Sequence, residues 1–153
     1  EAANAQWNEI DFEKSLWNIP AERMKMKKAF TIPLSSQVLK ILNKLKNISG
    51  RSCFIFQSQR YPNKSLHSSS ANAAIKRVGY KDKLTSHGLR SIASTYLSET
   101  FTNINVEIIE ACLSHQSKNQ VRNAYNRSTY LEQRKPLMDA WGDFVEECMK
   151  KSI

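Results

Sequence analysis

Apolar residues in the second half of the chain recur at helical spacing. Leu89, Ile92, Ala93, Tyr96 and Leu97 follow a 3.6-residue period, and Val106, Ile109, Cys112 and Leu113 do the same within NVEIIEACLSH. Leu137, Trp141, Phe144, Val145 and Cys148 form one stripe along LEQRKPLMDAWGDFVEECMKK. Between these runs, NQVRNAYNR predicts a further short helix. The first half reads differently. EAANAQWNEID predicts the end of a helix running into a loop at Asp11. SLWNIP and AFTIPL are short runs rich in apolar and β-branched residues, and Pro20 and Pro33 confine each to an edge or an end. AERMKMKK, basic and extended in pattern, joins them, so the segment predicts a small antiparallel β element with a cationic connection. SSQVLKILNKLKN sets Val38, Leu42 and Leu45 at helical spacing behind Ser35 or Ser36 as N-cap. CFIF is a short buried run, QSQRYPNKSLHSSS a polar loop, and ANAAIKRVGY a short helix ended by Gly79. The expected fold class is α+β, mainly α: a helical core with a small antiparallel sheet near the N-terminus.

Composition narrows the partners. The chain has 153 residues, enough for one domain with a real core. Lys and Arg number 23 against 14 acidic residues, a net charge of +9, which favours a polyanion: nucleic acid first, an anionic membrane surface second. No apolar run approaches the roughly 18 residues that span a bilayer. No charged-then-apolar leader pattern opens the chain, so secretion is not indicated. Cys53, Cys112 and Cys148 are odd in number and widely spaced, which gives neither a zinc pattern nor a disulfide framework and fits a reducing cytosol. With four glycines there is no Gly-rich phosphate loop. The chain starts at Glu1 rather than Met, as a piece of a longer protein does.

Three features carry candidate chemistry. TSHGLRSIAS places His87 and Arg90 one helical turn apart, LSH places His115 just after an apolar helical stretch, and NAYNR places Tyr125 ten positions later. The cationic RMKMKK lies upstream. Each has an ordinary reading alone: a helix start with a surface arginine, a helix C-cap, a core tyrosine, a solvated strand. Together, Arg, His, Lys and Tyr without metal ligands make a phosphoryl-transfer set. Arginine offers a two-pronged fork to phosphate oxygens. Histidine or lysine moves protons near neutral pH. Tyrosine can be a covalent nucleophile when held in line with the phosphorus.

The order and spacing of these motifs resemble the tyrosine recombinases, the phage integrase family. WNIPAERMKMKKAFTIPLSSQ is similar to the β-hairpin segment of satellite-phage and genomic-island integrases, and SHGLRSIAST, ACLSHQSKNQVRNAYNR and YLEQRKPLMDAWGDFVE are similar to that group's later motifs. The resemblance implies a recombinase catalytic-domain fold over residues 1–153 and site-specific integration or excision of a mobile element. It assigns Tyr125 the attack on the scissile phosphate, giving a 3′-phosphotyrosyl link. Arg90 would stabilise the pentavalent transition state, His87 would act as acid/base partner of the nucleophile, and His115 would hydrogen-bond the phosphate. Lys25, eight positions before Pro33, would protonate the leaving 5′ oxygen, with Lys27 and Lys28 as close rivals because hairpin register is hard to read from sequence. Arg23, Lys27, Lys28, Lys118, Arg122 and Arg127 are the candidate DNA-backbone contacts. No cofactor and no metal are implied, because the covalent link conserves the phosphodiester energy and fixed cations do the electrostatic task. The implied partner is double-stranded DNA at attachment sites in the bacterial cytoplasm, bound by a homotetramer of the full-length protein. The fragment alone would be a monomer with no membrane association.

The family also uses an earlier arginine, which would fall three positions before Glu1, and an N-terminal DNA-binding domain that closes around the duplex. Neither lies in this sequence. A missing transition-state donor costs roughly 10²–10³ in rate, so the fragment is expected to bind weakly and cleave poorly. The C-terminal stripe has two readings, packing on its own domain or docking on a neighbouring protomer. Two rival functions remain: a type IB topoisomerase, which shares the chemistry, and a noncatalytic DNA-binding regulator, which would not need His87, Arg90, His115 and Tyr125 in order.

Overall fold

The computed structural model describes residues 2–114 and 130–151. Three short strands, β1 (Ile10–Asp11), β2 (Leu16–Ile19) and β3 (Phe30–Pro33), form an antiparallel sheet in the order β1-β2-β3. Trp17 pairs with Ile10 on one side and Ile32 on the other, and the β2–β3 ladder runs from Leu16↔Pro33 to Ile19↔Phe30. Pro33, which lacks an N–H, thus sits at the end of an edge strand, and Pro20 follows the last residue of the central one.

The expected helix at the N-terminus is not α-helical. Ala2–Asn4 and Trp7–Glu9 are 3-10 turns, and Ile10 and Asp11 join the sheet. The cause is long-range pairing: Trp7 N donates to Cys53 O at 3.0 Å and Ile55 N donates to Ala5 O at 2.9 Å, which draws the intervening backbone out of helical geometry. The connection AERMKMKK also departs from an extended path, since Ala21–Arg23 closes a 3-10 turn.

Helix α1 (Ser36–Ser49) starts at Ser35, whose side chain accepts from Val38 N. Helix α2 (Ser70–Ile75) runs into a wide turn at Lys76–Tyr80, where Gly79 takes φ 91°, a left-handed conformation that glycine adopts without strain. Helices α3 (Gly88–Thr100), α4 (Val106–Cys112) and α5 (Leu131–Lys151) complete the described elements. The α+β class with a small N-terminal sheet and a helical remainder is what the hydrophobic pattern predicts.

Two apolar clusters hold the molecule. One gathers Ala5, Leu42 and Ile55 with Trp7, Ile10, Phe12, Trp17 and Leu34. The other gathers Leu97, Ile108, Ile109, Cys112 and Leu137, with Tyr96, Tyr130 and Trp141 packed against it. Helix α5 touches α1, β3, α3 and α4 and so spans both. On its stripe, Leu137 is fully buried, Phe144 stacks on Tyr96 of α3 (ring centroids 4.2 Å apart) and Trp141 meets the same ring tilted at 5.9 Å, while Val145 and Cys148 are exposed. The stripe therefore packs on its own chain through Phe144 and is solvent-facing beyond it. On α3 the buried positions are Ala93 and Leu97, while Leu89 and Ile92 are 44% exposed: the period marks an apolar face wider than the part a neighbour covers.

Candidate active site

His87 stands at the head of α3, and two side chains fix the backbone there. Asn72 Oδ1 accepts from Ser86 N at 2.7 Å, and Thr85 Oγ1 accepts from Gly88 N at 3.1 Å. Thr85 therefore serves the first turn of α3, and the His87 imidazole, which makes no capping bond, is exposed. One turn on, Arg90 is half-buried, and its Nη2 donates to the carbonyl of Leu113 at the C-terminal end of α4. A guanidinium suits that place, where orphan carbonyls and the negative end of the helix dipole converge. The same side chain holds its Nε buried with no hydrogen-bond partner among the described residues. An unmatched buried N–H costs about 1–3 kcal/mol, which an acceptor such as a phosphate oxygen would recover.

Leu113 lies two residues before His115, so the Arg90 bond ties α3 to the chain entering residues 115–129. Ser114 and Tyr130, on either side of that segment, have φ of 54° and 48°, a conformation that favours glycine over such residues. Tyr130 is held on α4 through its hydroxyl, which donates to Glu107 Oε2 at 3.1 Å. His115, Lys118, Arg122, Tyr125 and Arg127 lie outside the described residues.

The candidate lysines occupy the β2–β3 connection, residues 20–29. Lys25, Lys27 and Lys28 are all exposed. A turn closed by Lys27 N donating to Met24 O at 3.0 Å shapes the tip, with Lys27 itself at φ 53°. Arg23 is differently placed: its Nη1 bonds both carboxylate oxygens of Glu9, and its side chain is 16% exposed. Glu9 was not among the candidate site residues, yet it is buried and also accepts from Trp17 Nε1 at 2.9 Å and Gln6 N at 3.2 Å. The acidic position two residues after Trp7 was the available signal.

Arg134 is a second buried cation that sequence reading passed over. It is 0% exposed; its Nη1 donates to Thr31 O at 3.0 Å, and its guanidinium lies 4.8 Å from the Phe30 ring centre. Burial pulls its pKa below the ordinary arginine value, against the opposing effect of the neighbouring Cys112 thiol. Burial likewise pushes the Cys112 thiol up, with Arg134 partly countering. Among the described residues, no cluster of three or more His, Cys, Asp or Glu is placed to hold a metal, and no helix is long and apolar enough to cross a membrane.

Comparison with known proteins gives the set a context. Prophage integrase IntA of Escherichia coli K12 is 52% identical over the whole chain. The integrase of Enterobacteria phage P4 is 36% identical over 97% of it, and the integrase of Shigella phage Sf6 32% over 96%. The chain spans 37%, 37% and 38% of these three relatives' lengths. No solved structure matches it. The phage integrase family itself matches residues 1–132, from the β elements through the histidine–arginine turn to the start of α5, and the chain accordingly belongs to that family, the tyrosine recombinases of phages and prophages.

Proposed function

We propose that the full-length protein carrying this domain is a site-specific DNA recombinase, integrating and excising a mobile element by strand cleavage and rejoining through a 3′-phosphotyrosyl intermediate. The observation that carries the reading is Arg90: its guanidinium reaches from α3 to the chain two residues before His115 and keeps one N–H buried and unmatched among the described residues. In this reading Tyr125 attacks phosphorus, Arg90 and His115 hold the nonbridging oxygens, His87 manages the tyrosine proton, and Lys25 protonates the departing 5′ oxygen. Lys27 and Lys28 stay as rivals for the last role. A further arginine, contributed upstream of Glu1, completes the phosphate clamp. Lys27, Lys28, Lys118, Arg122 and Arg127 contact the backbone of the duplex, while Arg23, expected from sequence to do so, turns to Glu9 instead; four protomers assemble on paired attachment sites in the bacterial cytoplasm.

The test is covalent trapping on a nicked duplex carrying the element's own junction sequence. A chain extended at its N-terminus to the length of the relatives should form the protein–DNA adduct. Tyr125→Phe should abolish the adduct, and Arg90→Ala should slow it by about 10²–10³-fold. The 153-residue chain alone should trap poorly. Undiminished trapping by Tyr125→Phe would overturn the reading, and recombination between two sites, as opposed to relaxation alone, separates it from a topoisomerase.

A further inference from the structure

The β2–β3 connection poses a problem of placement. The ladder ends at Ile19↔Phe30, and ten residues, 20–29, lie beyond it. A two-residue hairpin turn would inherit its geometry from the strands; a connection of this length does not. Its local bonds are a 3-10 turn, with Arg23 N donating to Pro20 O and Met24 N to Ala21 O, both at 3.1 Å, and then the Met24–Lys27 turn. Those bonds shape the excursion but do not tie it to the rest of the molecule. Among the described residues, the Arg23–Glu9 pair is such a tie. Glu9 comes from the 3-10 turn just before β1, its side chain is 5% exposed, and the Trp17 indole of β2 and the Gln6 N–H occupy the same carboxylate. A carboxylate held by the β2 indole and by the N-cap N–H of its own turn is a fixed point, and Arg23 Nη1 bonds both its oxygens. Lys25 follows Arg23 by two residues, at most about 7 Å of chain.

We infer that Glu9, acting through Arg23, is a positioning residue for Lys25. The inference rests on the reading of Lys25 as the group that protonates the leaving oxygen. In that step the tyrosine oxygen bonds to phosphorus as the bond from phosphorus to O5′ breaks. The electron pair passes to O5′, and O5′ takes a proton from the Lys25 ammonium, which becomes the neutral amine. An exposed lysine on a long loop reaches O5′ in line only if the loop has one place to be. Arg23, read from sequence as a backbone contact, acts inward in this scheme.

The step offers its own test, because a thiolate leaves without help: a thiol has a pKa near 8.5, far below that of an alcohol. In the N-terminally extended chain, single-turnover cleavage is measured on duplexes with a 5′-bridging oxygen and with a 5′-bridging sulfur at the scissile phosphate. Glu9→Gln should slow the oxygen substrate by about 10²-fold, the usual reach of general-acid catalysis. It should cleave the sulfur substrate at the parent rate with DNA affinity unchanged, and Lys25→Ala should show the same contrast between the two substrates at saturating protein. The ratio of the two rates does not depend on how much protein is folded. If Glu9→Gln yields no folded protein, Glu9→Gln combined with Arg23→Met, which strands no charge, carries the same test. Equal slowing of both substrates, parent-like oxygen cleavage, or a loss confined to DNA affinity overturns the positioning role. A sulfur substrate that rescues Lys25→Ala and not Glu9→Gln overturns it alone; one that rescues neither overturns the reading of Lys25 as well.

Discussion

Cys112 and Arg134 show how differently two neighbouring residues can be read. Cys112 sits on the stripe that predicts α4, and it is buried where that stripe places it. Arg134 lies in LEQRKPL among Glu132 and Lys135, which do pair with each other at the surface. Nothing local distinguishes the arginine that turns inward, because its partners, Thr31 and Cys112, are remote in sequence. The thiol's environment makes a prediction. Since burial raises its pKa above 9.0, the folded state favours the neutral thiol. The stability it contributes is complete below that value and is lost as pH climbs through the raised one, where the unfolded chain gains by ionising. The free energy of unfolding should therefore decline at alkaline pH, and less steeply in Cys112→Ala. Iodoacetamide at pH 8 should label the exposed Cys53 and Cys148 in the folded protein, and Cys112 only after denaturation.

At the scale of elements, what was legible is what neighbours in sequence decide. The Ser35 cap, the left-handed turn at Gly79 beyond α2 and the two proline-bounded strands follow from local chemistry. EAANAQWNEID did not, because its backbone bonds are made with Cys53 and Ile55. Gly142 is another such case. It sits inside α5, where alanine would favour the helix by up to about 1 kcal/mol. But a Cβ there would meet Ser35 Oγ at 2.7 Å, Ser35 Cβ at 3.0 Å and Gln37 Oε1 at 2.5 Å. The glycine is what lets α5 close against the start of α1. The Gln37 amide can swing away, though it would surrender its 2.6 Å bond to Asp143; buried Ser35 has less room. Gly142→Ala should lower stability by about 1–3 kcal/mol in urea titration despite its better helix propensity.

For the whole molecule, the charge of +9 and the order of motifs already pointed to DNA, while the geometry joining them was not legible. That the carbonyl near His115 takes Arg90, and that Arg23 turns toward Glu9, required the fold. Exposed Lys25, Lys27 and Lys28 should contribute to affinity through counterion release. Replacing all three with alanine in the extended chain should weaken binding to any duplex. The slope of log affinity against log salt should fall by about one for each phosphate left without its lysine, measured by fluorescence anisotropy. The two apolar clusters have a mechanical consequence. The lysine loop is rooted beside one cluster and Arg90 beside the other, so the proton donor and the phosphate grip of the proposed reaction would ride on separate plates. Among the described residues, the joints between those plates include the Arg134 Nη1 bond to Thr31 O, the Gln37–Asp143 bond, and the close seat of Gly142 on Ser35. If the proposed reaction holds, slackening that seam would let the two halves of its chemistry drift out of step while each plate keeps its own fold.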